Sequence, residues 1–187
     1  ELLCAPHTLR AGLTELIRRE RRAPSGTGHI IMKMNSLVDA DMIDELYEAS
    51  ADGVRVELLV RGICCLRAAV PGLSENITVR SVVGRYLEHS RIYRFANGAG
   101  PGEPVHYMGS ADLMPRNLDR RVEAMVPVLD ANLRGRLDEI LEIGLGDDTL
   151  AWTLDDDVWS RVTRRNTLEA HLELQQLAIK RAAVDLR

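Results

Sequence analysis

The chain has 187 residues, 45% of them hydrophobic and 28% charged, with a formal net charge of -4. Those values allow one well-packed domain and exclude a disordered chain. They also exclude nucleic-acid binding through overall basicity, so any anion site must be local. No apolar run approaches the roughly 20 residues a membrane span needs, no signal peptide opens the chain, and Cys4, Cys64 and Cys65 show neither a CxxC spacing nor a metal-ligand pattern. The expectation is a cytoplasmic protein. Because the first residue is Glu1, an excised piece of a longer protein is also expected.

A strand at the start runs into a helix over Leu9 to Arg22, where Leu9, Leu13, Leu16 and Ile17 recur at helical spacing with arginines opposite. The segment Ala23 to Gly28 breaks it. His29 to Met34 predicts a buried strand, Met42, Ile43, Leu46 and Tyr47 a helix ending at Gly53, and Val54 to Val60 the next strand. This is a βαβ unit, which points to a parallel or mixed sheet covered by helices. Arg61 to Glu75 is a loop long enough to carry function. Strands follow at Ile77 to Val83, Arg91 to Ala96, Val105 to Met108 and Val122 to Val128, with a turn at Asn97 to Pro104.

Leu133, Leu137, Ile140 and Leu141 predict a helix that Gly144 ends, and Leu168 to Ala183 a final helix. Between them, Trp152 to Trp159 reads as acidic and irregular, its tryptophans anchoring a tail, residues 145–187, to the core. The whole is expected to be a single α/β domain, a mixed sheet flanked by helices.

Three places attract chemistry. Arg61 directly follows an apolar strand and precedes Gly62, so it belongs at the carboxyl edge of the sheet, where open α/β sheets bind ligands. Its planar fork of donors matches phosphate oxygens, although pairing with a carboxylate is the bland alternative. His89 and Arg91 are two residues apart at a strand start and so share a side. There the histidine can hold a proton while the arginine neutralises phosphate charge, unless the histidine is merely structural. The turn Gly109-Ser110-Ala111-Asp112 allows close backbone approach, with Ser110 as a hydroxyl donor and Arg116 and Arg121 flanking it. Its bland reading is a solvated charge run in which Asp119 and Glu123 pair with the arginines. His7, His29, His106 and His171 have no readable partner pattern and are taken as structural, and the cysteine pair as small buried filler.

A histidine with a basic residue two positions on, followed by a Gly-Ser turn about twenty residues later, resembles one lobe of a two-lobed phospholipase D superfamily site. The resemblance is closest to the polyphosphate kinases. It rests on Asn35-Ser36-Leu37-Val38-Asp39, Leu58-Leu59-Val60-Arg61-Gly62-Ile63-Cys64, Pro71-Gly72-Leu73-Ser74-Glu75-Asn76-Ile77, Tyr86-Leu87-Glu88-His89-Ser90-Arg91 and Ser110 through Asp119. These occur in the family's order and span the chain from Leu3 to the final helix.

The resemblance implies a C-terminal phospholipase D-like catalytic lobe of an enzyme that moves phosphate reversibly between ATP or ADP and inorganic polyphosphate. It implies Arg61 on the nucleotide phosphates, His89 facing the transfer centre and Arg121 holding phosphate, with Arg91 and Ser110 beside them. It further implies Mg2+ arriving with ATP, a phosphohistidine on a preceding lobe of the same chain, and a homo-oligomer in the full protein. A site of this chain's own for a metal is not expected. Asp157 departs from the family pattern, standing where glycine often precedes the tryptophan. Two other classes remain open. A phospholipase D-type phosphodiesterase or nuclease would carry lysine in place of Arg91 and asparagine in place of Asp112. A non-catalytic module would bind polyphosphate or another anion without turnover.

Overall fold

In the computed structural model, which describes residues 1–165 and 167–185, the chain forms one nine-stranded mixed sheet between two layers of helices. In chain order the elements are β1 (Leu3–Ala5), α1 (Leu9–Arg21), β2 (His29–Met34), α2 (Ala40–Ala51), β3 (Arg55–Val60), β4 (Ile77–Val82) and β5 (Arg91–Gly100). Then follow β6 (Glu103–Gly109), α3 (Pro115–Asp119), β7 (Glu123–Pro127), α4 (Ala131–Gly146), β8 (Ala151–Asp155), β9 (Val158–Arg161) and α5 (Ala170–Asp185). Strand order across the sheet is β1-β7-β6-β5-β2-β3-β4-β8-β9.

The central strands β2 and β3 carry apolar residues on both faces because both faces are covered. On one face Ile30, Met32, Val56, Leu58 and Phe95 pack with Leu13 and Ile17 of α1 and Met42 and Leu46 of α2. On the other, Ile31, Leu59 and Ile92 meet Leu137 and Leu141 of α4. Each such leucine contributes roughly 1.5–3 kcal/mol of apolar burial. Helices α2 and α4 start on an aspartate cap: Asp39 accepts from the Met42 amide at 3.1 Å, and Asp130 from the Asn132 and Leu133 amides at 2.9 and 3.0 Å.

β2, β3 and β4 are parallel, while β5 runs antiparallel to β2, β6 to β5 and β7 to β6. The carboxyl ends of β2, β3 and β6 therefore lie on the same edge as the amino ends of β5 and β7. That single edge receives Asn35, Arg61, Ser110, Arg91 and Glu123 from five strands.

Four expectations are corrected. The acidic stretch around the tryptophans is a β-hairpin: β8 pairs antiparallel with β4 and with β9, extending the sheet. Its tight turn places Asp156 in the left-handed region at φ 54°, which aspartate tolerates better than most residues. Trp159 packs against the core, whereas Trp152 is 40% exposed, so only one of the two tryptophans acts as an anchor.

Gly144 does not end α4, which runs to Gly146. A Cβ at Gly144 would lie 2.9 Å from Leu59 Cδ1, so the glycine serves the close approach of helix to strand. The residues 97–104, expected as a turn, belong largely to the β5–β6 ribbon, which pairs Gly100 with Glu103 beyond a register shift. The short helix α3, with Pro115 in its first turn, has too few residues to show a helical period.

Among the described residues, no helix is long and apolar enough to cross a membrane.

Candidate functional site at the carboxyl edge of the sheet

Arg61 leaves the end of β3, and its Nη1 donates to the Glu88 carbonyl oxygen at 2.6 Å. Glu88 belongs to the connection between β4 and β5, and its carboxylate pairs with Lys33 Nζ at 2.8 Å. Lys33 also donates to Ser90 Oγ at 2.9 Å. A lysine inside the apolar run of β2 was a visible signal, since a mostly buried ammonium needs a partner. Its partner lies fifty-five residues away and could not be read from sequence.

His89 is exposed at the same edge. Arg91 Nη1 lies 3.0 Å from His89 Nδ1 and donates to the His89 carbonyl oxygen at 2.9 Å. The other side of the Arg91 guanidinium is taken by Asp112, with Nε at 3.2 Å from Oδ1 and Nη2 at 2.9 Å from Oδ2. Asp112 also accepts from the backbone amides of Asn35 at 2.7 Å and Ser36 at 3.3 Å. Burial alone would raise its carboxyl. The Arg91 guanidinium and the two amides outweigh that and hold it below the usual carboxylate range. The expected sharing of one side by His89 and Arg91 is thus present, and Arg91 faces the histidine on one side and a buried carboxylate on the other.

Ser110 donates its hydroxyl hydrogen to Glu123 Oε2 and accepts from the Ala124 amide at 3.2 Å. Asn117 Nδ2 donates to Glu123 Oε1 at 2.6 Å. The Ser110 proton is therefore engaged within the turn. Asp119 does not pair with Arg116 or Arg121. It joins Asp39 in holding Arg10 of α1, through Arg10 Nη2 at 2.6 and 2.7 Å respectively. Arg121, exposed just before β7, has no carboxylate partner among the described residues, and neither has Arg61. Among the helix arginines, Arg10, Arg18, Arg21 and Arg181 are each paired with a carboxylate. Two cations without a carboxylate partner among the described residues, Arg61 and Arg121, thus lie at this edge.

Of the histidines taken as structural, His29 bonds Glu57 and His106 bonds Asp138, each at 2.7 Å, and His7 is exposed. His171 of α5 is buried and reaches the site edge, where its Nδ1 accepts from the Tyr86 amide at 3.1 Å. Of the cysteine pair, Cys64 is partly buried but Cys65 is exposed, which corrects the reading of both as buried filler.

The donor set does not suit a resident magnesium ion. Hard cations want several free carboxylate or carbonyl oxygens, and here Asp112, Glu88 and Glu123 are each committed to a neighbouring side chain. Among the described residues, no group of three or more His, Cys, Asp or Glu could hold a metal.

The family model described as polyphosphate kinase C-terminal domain 2 matches residues 2–175. The chain is 58% identical over 158 residues to a polyphosphate kinase of Parasynechococcus marenigrum, covering 83% of this chain and 22% of that protein. It is 51% identical over 163 residues to one of Streptomyces coelicolor, covering 86% and 21%. It spans about a fifth of the length of the curated relatives it matches.

The solved polyphosphate kinase of Porphyromonas gingivalis superposes with a TM-score of 0.89 at 37% identity, over 98% of this chain and 28% of that one. Nuc of Salmonella typhimurium, a phospholipase D family member, superposes at 0.53 and 16% identity over 77% and 90%, a likeness of fold alone. With the family model covering nearly its whole length, the chain belongs to the polyphosphate kinase family.

Proposed function

We propose that this chain is the C-terminal catalytic lobe of a polyphosphate kinase that transfers the terminal phosphate of ATP reversibly to inorganic polyphosphate. The observation that carries the reading is the convergence of Arg61, Arg121 and the His89–Arg91 pair on one sheet edge, with Arg61 and Arg121 lacking carboxylate partners among the described residues. Phosphoryl transfer asks the protein mainly for positioning and charge neutralisation, and that is the chemistry such an edge can supply.

In this reading a histidine on a preceding lobe attacks the γ-phosphorus. A P–N bond forms, the bond to the β-phosphate oxygen breaks, and ADP leaves. The terminal oxygen of a polyphosphate chain then attacks the same phosphorus, and the P–N bond breaks as the new anhydride forms. Arg61 and Arg121 hold nucleotide and chain phosphates. His89 faces the transferring group, where its imidazole either stabilises the phosphoryl oxygens or donates a proton to the leaving β-phosphate oxygen and takes it back when that oxygen attacks in the reverse direction. Arg91 contributes its charge from behind, its guanidinium oriented by Asp112. Magnesium would come with the nucleotide rather than from a site of this chain, since the carboxylates of this edge are committed to neighbouring side chains.

The buried Arg91–Asp112 pair also favours this branch over a phosphodiesterase or nuclease, for which lysine and asparagine are expected at those positions. In the full-length protein, His89→Ala should lower turnover by about 10²–10⁴-fold, the usual share of general acid–base catalysis, and full retained activity would remove His89 from the mechanism. Calorimetry of polyphosphate and of magnesium-ATP on this chain at two salt concentrations tests the anion site itself. Arg61→Ala and Arg121→Ala should each lose about 1.5 kcal/mol of binding or more, and wild-type affinity should weaken with salt. Binding without phosphoryl transfer in the full-length protein would favour the anion-binding module.

A further inference from the structure

The segment between β4 and β5 that bears Glu88 and His89 has little burial of its own. Val83, Tyr86 and Leu87 are 57%, 42% and 79% exposed, and His89 is exposed. Yet this segment supplies the carbonyl that anchors Arg61 and the backbone that presents His89. Something outside it must set its position.

Lys33 of β2 holds its far end at Glu88 and Ser90, and the contact at Tyr86 comes from α5. His171, 3% exposed, lies in the first turn of the helix and accepts the Tyr86 amide hydrogen on Nδ1 at 3.1 Å. Its ring lies 5.7 Å from that of Tyr86, centroid to centroid, and Tyr86 Oη donates to Gln175 Oε1 at 2.9 Å, one helical turn on. Gly84 comes so close that a Cβ there would stand 2.7 Å from His171 Nδ1. Only glycine permits that approach.

Because Nδ1 accepts, the neutral ring carries its proton on Nε2. Nε2 is buried with no hydrogen-bond partner among the described residues, and His171 lines a cavity with Lys33, Arg61 and Glu88. The helix is itself fixed at its start: Asp147, fully buried, accepts from the Ala170 amide at 2.7 Å and from those of Thr149, Leu150 and Ala151 at 2.9, 2.6 and 2.9 Å.

We propose that His171 is a positioning residue: through Tyr86 it holds the segment 84–90 so that the Glu88 carbonyl anchors Arg61 and His89 meets the phosphate-bearing edge. The claim rests on the phosphoryl-transfer reading for its consequence and on the α5 contacts for its geometry.

The test uses the full-length protein with His171→Leu, which keeps bulk without an acceptor, and His171→Asn, whose side-chain oxygen can occupy the Nδ1 position. Amide exchange of residues 84–90 is measured beside kcat, KM and thermal unfolding. His171→Leu should speed exchange and lower kcat/KM for polyphosphate by about tenfold, the scale of one lost hydrogen bond. His171→Asn should restore both to within about threefold. Gln175→Ala, at an exposed position, perturbs folding little and should loosen the same segment to a smaller degree.

Unchanged exchange in His171→Leu would overturn the proposal, as would equal impairment of the leucine and asparagine variants. The exchange experiment needs no turnover. If the wild-type protein transfers no phosphate, the functional reading fails alone and segment exchange still decides whether His171 holds the loop.

Discussion

Arg91 and Asp112 meet in a two-bond ion pair at the site edge, Nη2 to Oδ2 at 2.9 Å and Nε to Oδ1 at 3.2 Å, with side chains only 10% and 8% exposed. The pair ties the start of β5 to the turn after β6, and through the Asn35 and Ser36 amides to the end of β2. Three strand ends are thus held by one carboxylate.

Removing that carboxylate should leave a buried guanidinium and two amides without their acceptor. Asp112→Ala is expected to cost about 3–5 kcal/mol, read from the denaturant midpoint. The pH dependence has a definite sign. Since the folded-state carboxyl is held below its ordinary value of 3.8, its contribution is complete above that value and is lost as pH falls through the folded-state one. Asp112→Asn should flatten this part of the acid limb.

Asp148 should behave similarly at the junction of α4, β8 and α5. Hydrogen bonds from the Thr167 hydroxyl and the Leu168 amide hold its carboxyl down at about 2. Its grip on residues 167 and 168 should persist to pH near 3 and loosen below it, visible as faster amide exchange at Leu168 before global unfolding. Exchange that stays unchanged to pH 2 would contradict this.

The two adjacent cysteines should react very differently. Burial pushes the Cys64 thiol up to about 11, while Cys65 is exposed. Alkylation at pH 8, followed by peptide mass spectrometry, should label Cys65 at least about tenfold faster, because the thiolate is the reactive form.

Gly109 closes β6 where the backbone is most crowded. A Cβ there would fall 2.0 Å from the Ala124 carbonyl oxygen and 2.6 Å from Met125 Sδ. The carbonyl cannot swing away without disturbing the β6–β7 pairing at Gly109 and Met125. Gly109→Ala is expected to destabilise the domain by about 1–3 kcal/mol, measured by chemical unfolding, and to displace Ser110 from Glu123.

Much of the architecture could be read along the chain because its causes are local. The runs His29–Met34 and Arg55–Val60 are each apolar at four of six positions, on both faces, since both faces of those strands are covered. Arg61 was legible as an edge residue for the same reason: a buried strand that gives way to arginine and glycine has reached solvent. The hairpin of β8 and β9 was missed because it lies at the sheet margin, where acidic side chains are tolerated and the apolar alternation thins to Ala151 and Leu154.

What the sequence alone determined was most of the order of elements, without α3 and the β8–β9 hairpin, together with the mixed sheet and the residues that strand endings bring to the carboxyl edge, because period, strand termination and motif order are properties of neighbouring residues. Only the tertiary structure decided which of those groups are already committed. Arg91 is held by Asp112 across 21 positions, Lys33 by Glu88, and the segment carrying His89 by His171 across 85 from Tyr86. Hydrogen bonds and ion pairs act over about 3 Å of space, and no periodicity in the chain records which distant residue folding will bring that close.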